Sequence, residues 1–364
     1  MKIAIYAGTF DPFTLGHESI VDAGSKLFDK LIVLIAYNAN KKGMFTLNQR
    51  KKQIEEVIHK YPNVELRVIT DEFVASVAAK QKVGYLIRGI RDSVDYEYEQ
   101  KIEKINKKIN PNLQTVYISA PVELSEISSS MVKSLVGFAG WQKIVSTMVN
   151  ERVLSDLMRA KDEEFVSAAW KKIAGDDKVA QKWLEKILND YSQTHRHYHN
   201  LSHIVELLKQ ADELMNNSNF NTIHKAIIKY SIFFHDIVYN PQNRDNEKLS
   251  AELFMEFAQE LNLTQVIFEG VYESIIATTN HSVKPKFEIT EYFLDLDLAI
   301  LGSEPSKFES YEDQIRQEYL FVPEEIFNTE RSKIMQKLVN PYKTEYGKQK
   351  YGSQALINLK KYEQ

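Results

Sequence analysis

Nine histidines are spread unevenly along these 364 residues. Two, His17 and His59, precede residue 195, and seven lie between His195 and His281. Four of the seven fall in the run His195-Arg196-His197-Tyr198-His199-Asn200-Leu201-Ser202-His203. His235-Asp236 ends an apolar helical stretch, and Asp295 and Asp297 stand in another. Imidazole and carboxylate donors suit Zn²⁺, Mn²⁺, Fe²⁺ or Co²⁺, with Mg²⁺ also possible. The chain has no cysteine, which excludes thiolate metal sites, disulfides and a cysteine nucleophile. On a helix, residues two apart point about 200° from one another. One of the two aspartates is therefore expected to reach a metal, and Asp297 has the more continuous apolar context. A bare His-Asp pair is common, and a histidine run can be a solvated surface; the ordered set on a helical segment is what points to a metal.

A second chemistry gathers near the N-terminus. Gly8-Thr9-Phe10-Asp11-Pro12-Phe13-Thr14-Leu15-Gly16-His17 reads as a strand-to-helix turn with a histidine in the first helical turn. A helix N-terminus presents free N–H groups and a positive dipole end to phosphate. Three further segments each follow a strand: Lys41-Lys42, Arg88-Gly89-Ile90-Arg91 and Ser128-Ser129-Ser130 with Lys133. Singly, each reads as a solvated cation or a helix cap. On one sheet edge together, they make a polyphosphate site of point charges and N–H donors.

The elements needed to position these groups are legible. Short apolar runs at Lys2–Ala7, Leu31–Tyr37, Val64–Ile69, Tyr85–Ile87 and Thr115–Ser119 alternate with amphipathic segments such as Thr46–Tyr61. Continuous apolar strands between helices predict an α/β unit with a five-stranded parallel sheet, Rossmann-like, whose ligands sit at the carboxyl strand ends. Beyond Val122 helical periodicity takes over, with Ser128–Val136, Trp141–Arg159, Val179–Ser192, Leu201–Met215, Ile223–Val238, Asn246–Leu261, Leu263–Thr279, Tyr292–Leu301 and Glu309–Tyr319 expected as helices. The boundary is expected near 160–165, giving an α/β domain over 1–160 and an all-α domain over 161–364. Residues 155–165 read equally as linker or helix.

Composition limits the partners. A net charge of −4 argues against a nucleic-acid binder at the whole-chain level. No stretch reaches the ~18–20 apolar residues that cross a bilayer, so no membrane partner is expected. Met1-Lys2 leads straight into a strand rather than a signal peptide, and a cytoplasmic location is the expectation. Thirteen glycines and nine prolines are too few for long low-complexity tracts.

The GTFDPxTxGH turn, KKxMFTLxxR, LIRGIRDxxDYEYE and ISSSMVK together resemble phosphopantetheine adenylyltransferases of the nucleotidyltransferase superfamily, over roughly residues 1–160. The resemblance implies transfer of AMP from ATP to 4′-phosphopantetheine, giving dephospho-CoA and pyrophosphate, with Mg²⁺ and usually in a hexamer. By matching position it implies that Thr9, Lys41 and Arg88 bind phosphopantetheine, with Val74 against its arm. His17 is implied at the ATP phosphates. Thr9, Phe10, Gly89, Ile90, Arg91 and Glu99 are implied around ATP, with Leu124, Ser125, Glu126, Ile127, Ser128, Ser129 and Ser130. His17, Lys41 and Arg91 are the implied catalytic groups. The acceptor phosphate is already an anion, so catalysis needs positioning and charge stabilisation but no general base. Transfer of CMP or AMP to another phosphate acceptor is the rival within the superfamily; LIRGIRDxxDYEYE and the triple serine argue against it.

RHYHNLxHI, FHDIVYxP, DNExxSA and LDLAILG resemble the HD superfamily of metal-dependent phosphohydrolases over about residues 165–340. That resemblance implies His203, His235, Asp236 and Asp297 as metal ligands. The Tyr-His-Asn-x-x-His spacing is similar to the cyclic-nucleotide phosphodiesterase signature and implies His199 as a general acid. Arg196, Arg244 and Lys248 are candidates for substrate phosphate contacts or solvated helix charges. Asp245, Asn246 and Glu247 are candidates to support the ligands or cap a helix, and His281 to lie near the site or on the surface. The alternative is a helical domain that regulates or assembles the enzyme without catalysis.

Overall fold

The structure is a computed structural model that describes residues 1–38, 40–280, 284–338 and 340–362. His281 lies outside the described residues. The chain divides into two compact units, Met1–Ala160 and Lys161–Gln364.

In the first unit, strands β1 (Ile3–Gly8), β2 (Lys30–Tyr37), β3 (Val64–Thr70), β4 (Tyr85–Ile90) and β5 (Gln114–Ser119) form one sheet in the order β3-β2-β1-β4-β5. Every neighbouring pair is parallel. The central strands carry continuous apolar runs because both faces are covered: Ala4, Leu31 and Val33 face one core, and Ile5, Ile32 and Leu34 the other. The strand order reverses between β1 and β4, which opens a crevice at their carboxyl ends.

The helices of this unit are α1 (Leu15–Leu27), α2 (Leu47–Ile58), α3 (Val74–Lys80), α4 (Ser93–Ile109), α5 (Ser129–Leu135) and α6 (Trp141–Val145), with α7 (Glu151–Ala174) running past the boundary. Thr14 caps α1, Asp92 caps α4 and Ser128 caps α5, each by accepting a backbone N–H of the first turn. The helix expected over Trp141–Arg159 is two helices. The first stops at Val145, and the Asn150 side chain accepts the Val153 N–H to start the next. Residues 155–165 are helical, part of α7.

The second unit is built from helices and has no strand among its described residues. Its helices include α8 (Lys178–Asp190), α9 (Leu201–Asn216), α10 (Thr222–Phe234), α11 (Asn246–Glu260), α12 (Gln265–Ala277), α13 (Glu288–Asp297), α14 (Pro305–Glu318) and α15 (Glu324–Lys337). An aromatic core of Trp170, Trp183, Phe234, Phe254 and Phe257 fixes these helices around α10. Buried Trp170 donates its indole N–H to the Ala180 carbonyl at 2.9 Å, so its polar edge is satisfied. The helix expected over Tyr292–Leu301 begins four residues earlier and ends at Asp297, where a 3₁₀ turn, Leu298–Gly302, takes over. The helix expected to Val238 ends at Phe234, with His235 as its cap. Both differences put a candidate ligand at a helix end, where the chain turns.

Candidate functional site

A cavity of about 360 Å³ opens at the carboxyl ends of β1 and β4. Gly8, Thr9, Phe10 and His17 line it from the first strand-to-helix turn, and Arg88, Gly89, Arg91 and Glu99 from β4 and α4. Leu124, Ile127, Ser128, Ser129 and Ser130 close the third side. Lys41, Val74, Ile90, Ser125 and Glu126 are not part of this wall. Lys41 and Val74 lie in the segments that follow β2 and β3, on the same carboxyl edge of the sheet. Gly16, at the start of the helix expected to face phosphate, also lines the cavity, as do Tyr6, Thr14 and Asp95, which were not among the expected residues.

The turn after β1 is built around a ring cluster. A Cβ at Gly8 would sit 2.8 Å from the Phe10 ring, so only glycine admits the ring there. Phe10 takes a left-handed backbone conformation, φ 48°. Its ring meets the His17 imidazole edge-on at 5.2 Å, and Phe13 packs at 5.4 Å. His17 Nδ1 accepts the Thr14 backbone N–H at 3.0 Å, while the Thr14 hydroxyl accepts the His17 N–H. This reciprocal cap is the usual box with histidine in place of Glu or Gln. Since Nδ1 is an acceptor here, the neutral ring carries its proton on Nε2. Desolvation, helped by the Arg91 charge, pulls His17 down to about 3, so the ring is neutral at physiological pH. The T-x-x-H spacing was the signal available for this cap.

Arg88 is held rigidly. Its Nε donates to Glu99 Oε2 at 2.6 Å, its Nη2 donates to the other Glu99 oxygen, and its Nη1 donates to the Ala7 carbonyl at 3.0 Å. Glu99 thus shapes the cavity through Arg88, whose planar fork is oriented before any ligand arrives. Two of the three serines are committed within the protein. Ser128 Oγ accepts the Met131 N–H as the cap of α5, and Ser129 Oγ donates to the Pro12 carbonyl at 2.8 Å. Arg91 is exposed at the rim.

In the second unit, His203 stands in the first turn of α9, His235 caps α10 with Asp236 beside it, and Asp297 ends α13. His203 Nε2 and His235 Nε2 are 3.2 Å apart. Asp236 Oδ2 is 3.1 Å from His235 Nε2, and Asp297 Oδ1 lies 3.4 Å from His235 Nε2 and 3.7 Å from His203 Nε2. His235 Nδ1 donates its proton to the Ile232 carbonyl at 3.0 Å, so Nε2 is the ring nitrogen turned to the cluster. His203, His235 and half-buried Asp236 bring ligand atoms within 4.8 Å of one another, a set that fits a divalent cation, with Asp297 against the two imidazoles. Burial opposes ionisation of Asp236 and Asp297, but the neighbouring imidazoles outweigh it and hold both carboxyls below the usual range. Asp295 turns away: its carboxylate accepts the Lys343 and Thr344 amides and the Thr344 hydroxyl, at 2.7, 2.8 and 2.6 Å.

His199 stands beside this cluster, its Nε2 3.9 Å from Asp236 Oδ2. Its Nδ1 bonds Glu318 Oε2 at 2.7 Å, and its ring stacks on Tyr239 at 4.2 Å. Glu318 was not among the expected residues. Its Oε1 accepts the successive amides of His197, Tyr198 and His199 at 2.8, 2.8 and 3.0 Å, and Tyr239 donates its hydroxyl to Oε2 at 2.7 Å. Burial pushes Glu318 up, but these hydrogen bonds, His199 first, outweigh it and bring it to about 2. Burial lowers His199; the Asp236 and Glu318 carboxylates reverse that and raise it.

The candidate phosphate contact Arg196 is corrected to a structural role. It is buried, and its fork donates to the carbonyls of His199, Asp236 and Ile237 at 3.0, 2.7 and 2.8 Å. A guanidinium spent on three carbonyls locks the 196–199 turn onto the His235-Asp236 corner. Arg244 and Lys248 are exposed. Asn246 closes the loop before α11 by pairing with both the N–H and the carbonyl of Asn240, at 3.0 and 2.9 Å. Asp245 makes no side-chain cap bond, and Glu247 is half-buried, its carboxyl raised by that burial.

The first unit's parallel sheet and switch-point cavity define a nucleotidyltransferase-type α/β domain. Residues 5–135 match the cytidylyltransferase-like family. The phosphopantetheine adenylyltransferase of Neisseria meningitidis serogroup C is 36% identical over 161 residues, 44% of this chain and 95% of that protein. That of Clostridium kluyveri is 38% identical over 165 residues, 45% of this chain and 98% of that protein. Through these N-terminal residues the chain belongs to the phosphopantetheine adenylyltransferase family. Among solved structures, Plasmodium falciparum nicotinic acid mononucleotide adenylyltransferase complexed with NaAD aligns at TM-score 0.33 and 18% identity, over 44% of this chain and 96% of that one. No described helix is long and apolar enough to cross a membrane.

Proposed function

We propose that the first unit transfers AMP from ATP, with its Mg²⁺, to 4′-phosphopantetheine. A phosphate oxygen of the acceptor attacks the α-phosphorus of ATP. A new P–O bond forms, the α–β bond breaks, and pyrophosphate leaves with the bonding electrons. The observation that carries this is the neutral His17 with Nε2–H at the floor of a cavity rimmed by arginines in a chain of this family. His17 donates to the α-phosphoryl oxygens, and Arg91 neutralises charge passing to pyrophosphate. Thr9 and Arg88 orient the acceptor phosphate, Lys41 meets it from the β2 loop, and Val74 packs against the pantetheine arm from the β3 side. Gly89, Ile90, Glu99 and the 124–130 segment enclose the nucleotide. Pyrophosphate release with ATP plus phosphopantetheine tests this against CTP plus glycerol phosphate; release with only the second pair sinks it. A cytoplasmic hexamer is part of the proposal, and sedimentation of the full chain tests the assembly.

We infer that the second unit, residues 161–364, is a metal-dependent phosphohydrolase of HD type. His203, His235, Asp236 and Asp297 would hold Mn²⁺, Fe²⁺, Zn²⁺, Co²⁺ or Mg²⁺. Such an ion, when bound, supplies a hydroxide by lowering the pKa of water. His199 protonates the leaving oxygen, and Glu318 sets its tautomer. Metal content and hydrolysis of p-nitrophenyl phosphate and bis-p-nitrophenyl phosphate by the full chain test the reading. A chain that retains no metal after supplementation removes it.

A further inference from the structure

The turn after β1 also holds a carboxylate that the reaction above does not use. Asp11 is 6% exposed. Its Oδ1 accepts the Phe45 N–H and its Oδ2 the Met44 N–H, both at 2.9 Å. Arg50 Nε and Lys133 Nζ each stand 3.4 Å from one of its oxygens. Burying a carboxylate is costly unless it is paired and hydrogen-bonded. Beside a site for anions it would also repel the ligand. Its presence is therefore explained by what it ties together.

Three loops meet there. Arg50 donates Nη1 to the Thr9 carbonyl at 3.2 Å and Nε to the Phe45 carbonyl at 2.9 Å. Ser129 Oγ donates to the Pro12 carbonyl at 2.8 Å. The turn carrying Thr9, the segment following Lys41 and the start of α5 are thus fastened to residues 9–12. Gly43 belongs to the same knot: a Cβ there would fall 1.7 Å from Arg50 Nη2 and 3.1 Å from Asp11 Oδ2. The charge matters as well as the shape. Both Asp11 oxygens face N–H donors, whereas an asparagine would turn an NH₂ group onto one of them.

We propose that Asp11 is a positioning residue for adenylyl transfer, fixing through the Met44 and Phe45 amides where Lys41 presents itself to the acceptor phosphate. This rests on the adenylyltransferase reading. It acts on the acceptor side because the ATP side has its own anchors, the Thr14–His17 cap and the Ser128 cap.

The test uses the full chain with ATP and 4′-phosphopantetheine. Asp11→Asn lowers kcat/KM for phosphopantetheine by roughly 10- to 100-fold, the range that about 1 Å of misplacement produces. The KM for ATP stays within about threefold, as expected of an acceptor-side effect. A cycle with Lys41→Ala separates positioning from general damage. Asp11→Asn then has less than about threefold further effect, since the group it positions is already gone. If Asp11→Asn is insoluble, Gly43→Ala, which displaces the Arg50 fork, shows the same acceptor-selective loss. Unchanged kcat/KM, equal losses for both substrates, or the full loss repeated on Lys41→Ala overturns the proposal. An inactive wild-type chain instead overturns the reading beneath it.

Discussion

The two units each hold a buried-edge histidine fixed through Nδ1, and the partner at Nδ1 tunes them in opposite directions. At His17 the partners belong to Thr14, whose amide donates to Nδ1 at 3.0 Å and whose hydroxyl lies 2.8 Å away; burial and the Arg91 charge bring the ring to about 3. His17 is therefore a permanent neutral Nε2–H donor. At His199 the partner is an acceptor, the Glu318 carboxylate, and with Asp236 it raises the ring against burial. His199 is therefore held towards its doubly protonated form. A donor for developing phosphate charge must not titrate during turnover, whereas a proton carrier must. The proposed transferase and the proposed hydrolase would therefore ask opposite things of their histidines.

The comparison breaks most sharply at the candidate metal cluster. Asp236→Ala leaves His203 and His235 too few partners, and the full chain loses bound metal and hydrolysis of bis-p-nitrophenyl phosphate by about 10³-fold or more. Adenylyl transfer persists in the same preparation. Metal content by elemental analysis, with both activities in parallel, checks it, and parallel loss of transfer would tie the first unit to the same ion.

His17→Ala comes next. Removing one preorganised donor to a phosphoryl transition state lowers kcat by roughly 10²–10³-fold with a small change in KM. The pH profile sharpens the point: between pH 6 and 9 the wild-type transferase shows no limb from a ring that titrates near 3. Stability carries the opposite mark. The folded ring binds its second proton near 3, against about 6.5 when unfolded, so the unfolded chain binds more protons in between. Stability of the first unit therefore falls as pH drops from about 6.5 towards 3. His17→Gln, which keeps an N–H donor, flattens that fall in thermal melts and restores part of kcat. An unaltered melt profile counts against the neutral assignment.

Glu318→Gln tests the other histidine. The amide cannot accept every donor now aimed at the carboxylate, and His199 loses the charge that raises it. Hydrolysis falls about 10- to 100-fold. Activity that needs protonated His199 disappears as pH rises through its raised pKa, so the variant's alkaline limb moves to lower pH. A limb that stays in place shows that Glu318 holds the loop and nothing more.

How much of this was legible beforehand follows from the distance over which each interaction acts. The five strands were readable because apolar runs buried on both faces are local patterns, and the Ser128 cap because it acts within four residues. The clustering of His235, Asp236 and Asp297 could be anticipated from residues at helix ends. Glu318 could not: it lies 119 residues from His199 in a charged helix, where one glutamate resembles the rest. The structural role of Arg196 was hidden for the same reason. Its partners at Asp236 and Ile237 are 40 and 41 residues away, and a guanidinium between histidines reads as a phosphate contact or a solvated charge until those carbonyls are in view.

The smallest effect separates the parts of the His17 device. Thr14→Val removes the hydroxyl that accepts the His17 N–H and lies 2.8 Å from Nδ1, but leaves the backbone N–H that also donates to Nδ1. Loss of a cap lowers stability by about 1 kcal/mol. The tautomer survives, so kcat changes by about threefold or less, well short of the loss at His17→Ala. Thermal melts and kcat on one preparation measure both quantities. A drop in kcat as deep as His17→Ala would mean that the hydroxyl, rather than the amide, sets which nitrogen carries the proton. The contrast with Glu318 would then be between two side-chain partners instead of backbone against side chain.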